Sequence, residues 1–269
     1  MSIVKTIFVF CFVLMMTGCN AVEKSNRLAS TSADQTEEAI STPTAVPMPG
    51  TDTPPAVDSS AQLISSYSIG DSDKWFFYNQ KIKDESEVIV WHSSDNGVTW
   101  EESMLPTEQL WEKEITKGTL FVSLHSEQEA IPSWVLLTSG PALGLMEKSI
   151  YTSSDHGKSW SFKGELGRII RSSYITGISF RNEQTGWITG TYHGGPIVPL
   201  FRTDDGGDTW NLQEITLPQQ YNYGDAYPPS FDVNNNLIGI LSIECNDGEK
   251  RITIDYETID GGKTWALKS

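Results

Sequence analysis

The residue types that could bind a metal ion or a phosphate group form no recognisable site in this sequence. Residues 204–208 and 246–248 are rich in acidic and amide side chains but lack the ligand order of an EF-hand loop. No glycine-rich phosphate-binding loop is present. The histidines have no metal-ligand spacing; they are His92, His125, His156 and His193. The sequence therefore predicts neither a metal site nor a cofactor.

The charge balance and the cysteines restrict the classes of function. The net charge is −16, from 35 acidic and 19 basic residues. This excess argues against nonspecific nucleic-acid binding, which needs a basic surface, and against attraction to anionic lipid head groups. Of the three cysteines, Cys11 lies in an apolar N-terminal run and Cys245 in a second apolar run. Cys245 is therefore predicted to be a buried, unreactive thiol.

The N-terminus has the layout of an export signal. Lys5 precedes an apolar run at residues 7–16, which is too short to span a bilayer but is typical of a secretory signal. Met16-Thr17-Gly18-Cys19 resembles the lipobox of bacterial lipoproteins, and this resemblance implies that residues 1–18 are removed and Cys19 is diacylated. We expect an extracytoplasmic protein of the bacterial cell envelope, anchored to the membrane by lipid. An ordinary cleaved signal with an incidental cysteine is the alternative.

A polar segment follows the proposed lipidation site. Residues 20–60 are rich in Ser, Thr, Ala, Pro and acidic residues and contain no aromatic residue. Such a segment cannot bury enough apolar surface to offset the entropy lost on ordering. We therefore expect residues 19–60 to form a disordered tether and residues 61–269 to form the folded domain.

One ten-residue pattern occurs four times in the folded part. It reads aromatic-x-[Ser/Thr]-x-Asp-x-Gly-x-[Ser/Thr]-Trp and lies at residues 91–100, 151–160, 201–210 and 256–265. The final tryptophans are 60, 50 and 55 residues apart, close to the roughly 40–50 residues of one four-stranded propeller blade. Four copies of six specified positions indicate a repeat architecture.

The chemistry of the pattern favours a structural role. The Asp can accept backbone N–H groups of a following turn, the Gly can supply a positive φ, and the Trp can pack between neighbouring sheets. We assign these twelve residues to the fold: Asp95, Gly97, Trp100, Asp155, Gly157, Trp160, Asp205, Gly207, Trp210, Asp260, Gly262 and Trp265.

The pattern resembles the Asp-box, or bacterial neuraminidase repeat. The third repeat, with residues 177–180, 185–190 and 201–210, also resembles propellers of the photosystem II stability/assembly-factor type; sortilin and sialidase propellers share only the box. This resemblance implies an all-β fold, a small β-propeller of about four four-stranded blades. Because the named relatives have more blades, an incomplete ring and a ring completed by a second copy are both left open.

The resemblance also implies which face is functional. In Asp-box propellers the boxes lie opposite the usual ligand face, so we expect binding residues on the connections at the other end of the strands. The candidates on those connections are Trp111, Arg168, Arg171, Tyr192, His193, Tyr221, Tyr223 and Tyr227. Aromatic loops on a rigid scaffold are typical of binding sites. The alternative is that Pro228 and Pro229 brace a crossover whose Tyr rings pack onto the blade.

From these features we predict a lipid-anchored, non-enzymatic binding or assembly module that recognises a protein or a glycan. The photosystem partner itself is not transferred. A sialidase-like glycoside hydrolase is the first alternative, with Arg168, Arg171 and Arg251 on suitable connections. Against it, Arg168 and Arg171 share one loop and no Arg-Ile-Pro element is present, so no catalytic residue is assigned. A structural spacer lipoprotein is the second alternative.

Overall fold

Strands and turns make up the part of the chain that the computed structural model describes. That part is residues 50–268 except 56, 83–84, 108–114, 117, 141–145, 172–173 and 249, and for Tyr192 only the backbone. The predicted signal, Cys19 and most of the predicted tether lie outside it. Within these residues, no helix is long and apolar enough to cross a membrane.

Four antiparallel units follow one another along the chain. Blade 1 consists of β1 (Gln62–Ile69), β2 (Asp73–Ile82), β3 (Glu85–Ser93) and β4 (Glu101–Met104). Blade 2 consists of β5 (Leu120–Ser123), β6 (Ser133–Thr138), β7 (Lys148–Ser153) and β8 (Ser161–Glu165). Blade 3 consists of β9 (Tyr174–Phe180), β10 (Gly186–Tyr192), β11 (Ile197–Thr203) and β12 (Asn211–Thr216). Blade 4 consists of β14 (Ser230–Phe231), β15 (Gly239–Asn246), β16 (Arg251–Thr258) and β17 (Ala266–Leu267).

An extra strand joins the last two blades. β13 (Tyr223–Ala226) lies in the connection from blade 3 to blade 4 and pairs with β10 on one side and β15 on the other. Blades 3 and 4 therefore form one nine-stranded sheet, whereas blades 1 and 2 are separate four-stranded sheets. This strand was not among those that the repeat pattern predicts.

Each pair of consecutive blades is sealed by an apolar cluster with a fully buried tryptophan from the second strand of the earlier blade. Trp75 fills the seam between blades 1 and 2, Trp134 that between blades 2 and 3, and Trp187 that between blades 3 and 4. Each is at most 1% exposed, and burying an indole removes about 150–250 Å² from water. These three seams are the core of the domain.

The four boxes share one hydrogen-bond pattern. In the first, Asp95 accepts the Thr99 backbone N–H at 2.8 Å and the Thr99 hydroxyl at 2.7 Å, while the Gly97 N–H donates to Ser93 Oγ at 2.7 Å. The same bonds recur in the other three boxes. All four box glycines have φ between +78° and +94°, a conformation that costs glycine little.

The first end of the array, on blade 1, is covered by the chain segment that precedes it. On blade 1, residues 50–61, here called the N-terminal strap, cover the outer face through Val57 and Ala61. Thr51 Oγ1 accepts a hydrogen bond from the Trp100 indole N–H at 3.1 Å. The equivalent tryptophan of blade 2, Trp160, donates in the same way to Ser103 Oγ on the outer strand of blade 1, at 3.2 Å. The strap therefore occupies the position of the outer strand of a preceding blade.

Blade 4 ends the array with a polar face. In blades 1 to 3, the second strand places a tryptophan opposite the residue that precedes the box Asp by three positions; these tryptophans are Trp75, Trp134 and Trp187. In blade 4 the same position, opposite Glu257, is occupied by Ile240. The outward residues of β15 include Ser242 and Glu244, and no apolar cluster of the described residues joins blade 4 to blade 1. The prediction of an all-β fold, a small propeller of about four blades, is confirmed, and the ring that the sequence left open is incomplete in the described residues.

Candidate functional site

The candidate face lies at the ends of the strands that are remote from the boxes. In blade 4 the start of β15 pairs with Thr258, which belongs to the box, so Glu244 and Asn246 lie at the opposite end. In blade 3 the start of β10 pairs with Thr203, so Tyr192 and His193 lie at the same opposite end. β13 links these two ends. Two of the connections from which the sequence predicts binding residues, the one after β10 and the one that contains β13, therefore meet here.

Two carboxylates face each other across the β13–β15 ladder. Asp225 and Glu244 are direct register partners, and such partners project from the same side of a sheet with Cβ atoms roughly 4.5–5.5 Å apart. Their side chains are 14% and 26% exposed, respectively. The pair is therefore half-buried but accessible from solvent, and its register is fixed by the sheet.

Arg251, the first residue of β16, contacts both carboxylates. Its Nη1 atom lies 2.6 Å from Glu244 Oε1 and 3.9 Å from Asp225 Oδ2. The two carboxylate oxygens are thus at most about 6.5 Å apart, the sum of 2.6 and 3.9 Å. The hydrogen bond to Glu244 and the charge of that carboxylate raise the pKa of Arg251 above its usual value. The arginine stays charged and exposed, and it could bind an anionic group.

Aromatic side chains and a histidine complete this group, here called the carboxylate cluster. His193 Nε2 lies 3.0 Å from Asp225 Oδ1, and the His193 and Tyr223 rings are 4.4 Å apart. The Tyr227 hydroxyl donates to Glu244 Oε2 at 3.4 Å. Burial, followed by the charges of Glu244 and Asp225, raises the pKa of Tyr227. Tyr227 is therefore protonated at neutral pH, with its proton directed at Glu244.

A groove of about 420 Å³ lies along β16. Its walls come from the turn after β12, from β16 and from the end of β17. It is lined by Pro218, Gln220, Tyr221, Thr253, Ile254, Asp255, Leu267 and Lys268. This lining includes no residue of the carboxylate cluster.

The structure brings together three of the residues that the sequence singled out for binding, and separates the others. His193, Tyr223 and Tyr227 meet in the carboxylate cluster. Tyr192 ends β10 and pairs through its backbone with Gly224. Tyr221 is 9% exposed and packs in the seam between blades 3 and 4, with part of its surface in the groove.

The remaining candidates do not join the cluster. Trp111 lies outside the described residues. Arg168 and Arg171 are exposed in the turn between β8 and β9, where the Arg171 Nε–H donates to the Arg168 carbonyl at 2.9 Å. These two arginines lie on the connection between blades 2 and 3, whereas Arg251 begins β16 of blade 4.

Sequence reasoning missed Asp225 and Glu244. Glu244 lies on the outward side of β15, between the inward Ile243 and Cys245. Such an alternation is ordinary for a strand with one exposed side, so it carries no signal of a site. The neighbouring Cys245 is fully buried, and burial raises the pKa of its thiol to about 11. Among the described residues, no three His, Cys, Asp or Glu side chains are arranged to hold a metal ion.

Comparison with known proteins finds similar structures but identifies no family for this chain. No family model matches the sequence, and no curated protein gives a significant match. A putative glycosidase from Bacteroides thetaiotaomicron is similar in structure with 12% identity and a TM-score of 0.45, over 78% of this chain and 72% of that chain. A putative glycoside hydrolase from Bacteroides ovatus has 14% identity and a TM-score of 0.46, over 78% and 71%. The NanB sialidase from Streptococcus pneumoniae has 11% identity and a TM-score of 0.46, over 82% and 54%.

These comparisons correct one prediction and leave another without support. The chain was predicted not to be an enzyme, but glycosidases and sialidases recur among the structures that it resembles, so that prediction is wrong. At these identities and TM-scores the likeness concerns architecture and carries no argument about substrate. The resemblance to photosystem assembly factors has no family match. By the topology of its described residues the chain is an open four-bladed β-propeller in which each blade carries one copy of the repeated turn.

Proposed function

We propose that this chain acts on glycans through the carboxylate cluster, with the chemistry of a sialidase-like glycoside hydrolase. The observation that carries the proposal is the position of Glu244, which contacts both the Tyr227 hydroxyl and the Arg251 guanidinium and faces Asp225 across the sheet. Glycosidases use two carboxyl groups at the scissile bond, and sialidases use a tyrosine nucleophile. Here Glu244 is at hydrogen-bond distance from Tyr227 and Arg251, and Asp225 is its cross-strand partner.

Each side chain has a role in such a reaction. Glu244 would take the proton from the Tyr227 hydroxyl as the phenolic oxygen attacks the anomeric carbon. Asp225, oriented by His193, would give a proton to the departing glycosidic oxygen. Water would then cleave the tyrosyl–sugar bond, with Asp225 acting as the base and Glu244 returning the proton to Tyr227. Arg251 would pair with the carboxylate of an anionic sugar.

The tyrosine nucleophile predicts retention of anomeric configuration. Attack by the Tyr227 oxygen and then by water are two displacements at the same carbon, and each inverts its configuration. The product is therefore expected to keep the configuration of the substrate.

The experiment is hydrolysis of a fluorogenic N-acetylneuraminic acid glycoside by the purified protein and its variants. We expect cleavage by the unmodified protein and a fall in kcat/KM of at least about 10²-fold in Glu244→Gln and Tyr227→Phe, as for loss of a general base or a nucleophile. Glu214→Gln, at an exposed glutamate of β12, is the matched control and keeps full activity. Circular dichroism establishes that each variant is folded. Absence of cleavage by the unmodified protein, or full activity of Glu244→Gln, refutes the proposal.

The sequence supports a location for this activity. We propose that Cys19 carries the lipid and that the predicted tether, residues 19–60, whose end packs on blade 1 as the strap, holds the propeller away from the membrane, on the basis of the lipobox-like segment and the polar composition. Metabolic labelling with an alkyne fatty acid tests this: the label is expected on the unmodified protein and absent from Cys19→Ala. Equal labelling of both proteins would exclude Cys19 as the lipidated residue.

A further inference from the structure

We infer that the open edge of β16, at residues 251–254, binds an extended basic peptide, which adds a strand to blade 4. This inference concerns a protein partner and is independent of the proposed function. The observations that carry it are the short outer strand of blade 4, the backbone groups that this strand leaves open and the groove beside them.

The outer strand of blade 4 covers less of its neighbour than the outer strands of blades 2 and 3 do. In blade 3, β12 pairs with six consecutive residues of β11, and in blade 2 the outer strand follows β7 back to its first residue, Lys148. In blade 4, β17 pairs with only two residues of β16, and the Lys268 N–H adds one bond to the Asp255 carbonyl at 2.8 Å. Among the described strands, β15 and β17 alone neighbour β16, so residues 251–254 have a strand on one side only.

The bond from Lys268 also shows where β16 directs its open backbone groups. In an antiparallel strand the N–H and C=O of one residue point to the same edge, and successive residues alternate between the two edges. Because Asp255 directs its carbonyl towards β17, Thr253 and Arg251 direct their N–H and C=O groups to the same edge. Both residues are exposed. Such an edge is a template for a further strand, and extended peptides bind proteins by adding to it.

The groove along β16 gives this strand a place to lie. Thr253, Ile254 and Asp255 of the edge form one side of the groove, and Tyr221 contributes to another. Tyr221 and Ile254 both belong to the apolar cluster of the seam between blades 3 and 4. The volume of about 420 Å³ falls within the roughly 300–1,000 Å³ of ligand sites in proteins. A row of backbone donors and acceptors is matched by another extended backbone, and this favours a peptide over a compact ligand.

The side chains beside the edge define the kind of peptide. A residue opposite Ile254 projects to the seam side of the sheet, where an apolar side chain packs best. The residue opposite Thr253 projects to the other side, with Asp255 and Arg251 as its diagonal neighbours. The charge of Arg251 is balanced by Glu244 at 2.6 Å, so Asp255 favours a lysine at this position. The net charge of −16 also favours a basic peptide and opposes pairing of the edge with a second copy of the chain.

The test is the binding of the peptide Ile-Lys-Val-Thr-Gly, acetylated at its N-terminus and labelled with fluorescein at its C-terminus, measured by fluorescence polarisation with the purified full chain. We expect saturable binding, and at least about tenfold weaker binding in Thr253→Pro, which removes the outward N–H and places a ring at the edge. Thr253→Val keeps the backbone groups and should bind as the unmodified protein does. Glu214→Pro, at an outward-directed position of the exposed edge of β12, is the matched control and should also bind normally.

A second peptide tests the pairing without any change to the protein. N-methylation of the lysine backbone nitrogen leaves all side chains in place but removes the N–H that bonds to the Thr253 carbonyl. We expect this peptide to bind the unmodified protein at least about tenfold more weakly, because a hydrogen bond is lost and the methyl group prevents close approach. This measurement stands even if Thr253→Pro does not fold.

Several outcomes overturn the inference. They are the absence of saturable binding up to millimolar peptide, equal affinity for the N-methylated peptide, and a loss in Thr253→Val as large as that in Thr253→Pro, which would indicate a side-chain contact. Self-association of the unmodified protein that Thr253→Pro abolishes, measured by sedimentation velocity, would assign the edge to a second copy instead. Each of these results leaves the cleavage assay for the proposed function unaffected.

Discussion

The box glycines of the second and third repeats occupy the same place in the motif but have different surroundings. Gly157 has φ +81°, and a Cβ there would lie against the Trp75 ring, 2.7 Å from Cη2. Gly207 has φ +94°, and the nearest atom to its Cβ would be Ile150 Cδ1 at 3.5 Å, an ordinary contact. Replacing each glycine by alanine therefore separates the cost of backbone strain from the cost of overpacking a seam.

The two variants should differ measurably in stability. An L-residue in the left-handed conformation costs about 1–2 kcal/mol, and this is the whole expected effect of Gly207→Ala. In Gly157→Ala the new Cβ must also displace Trp75, which is fully buried and stacked on His92 with the ring centroids 3.9 Å apart. Overpacking of this kind costs about 1–3 kcal/mol. We expect a loss of about 2–5 kcal/mol in the free energy of unfolding for Gly157→Ala.

Urea denaturation followed by tryptophan fluorescence measures both values, with an unchanged m-value as the sign that the unfolded state is the same. For a domain of this size each kcal/mol corresponds to roughly 2–4 °C in Tm, so a thermal melt offers a second measurement. Equal losses in the two variants, within about 0.5 kcal/mol, would refute the argument that the second box is packed tightly against Trp75.

Two further predictions concern the boxes and the strap. Hydrogen bonds from the Thr264 hydroxyl and backbone hold the pKa of Asp260 well below its usual value. The ionised Asp260 therefore contributes its full stabilisation above the pKa of the unfolded chain, about 3.9, and this stabilisation is lost as the pH falls below that value. Asp260→Asn should therefore destabilise the protein at pH 7, by an amount that solvent exposure limits to about 1 kcal/mol, and less at pH 3; equal effects at both pH values in urea titrations would contradict this. Thr51→Val removes the hydroxyl that bonds Trp100 and Gly97 and should cost about 1 kcal/mol and speed proteolysis within the strap, whereas Thr53→Val, at an exposed residue, should do neither. Identical proteolysis rates for the two variants would show that the strap is not held by Thr51.

The repeat itself was predictable because its chemistry is local. The Asp, the Gly and the two hydroxyl residues of a box bond to one another within seven residues of chain, so four copies of the pattern specify four hairpin turns. The tryptophan spacing then gives the blade length. Those short-range rules predicted the all-β class and the number of blades, whereas the expectation that binding residues lie opposite the boxes came from the resemblance to Asp-box propellers.

The candidate site could not be predicted in the same way. Asp225 and Glu244 are 19 residues apart in the sequence, and they meet because β13 inserts between two blades in one particular register. A shift of one residue in that register would direct Asp225 to the other side of the sheet. Arg168 and Arg171, which looked equally suitable in the sequence, lie on a turn that does not reach the cluster.

The sequence alone therefore determined the repeating unit, since each box is a self-contained network of side-chain and backbone hydrogen bonds. Only the tertiary structure decided how the array ends, with the strap on blade 1 and a polar face on blade 4, because those surfaces depend on which residues are left without a neighbouring blade. It also decided which carboxylates, arginine and tyrosine lie together. Their contacts depend on long-range strand pairing, which no local pattern encodes.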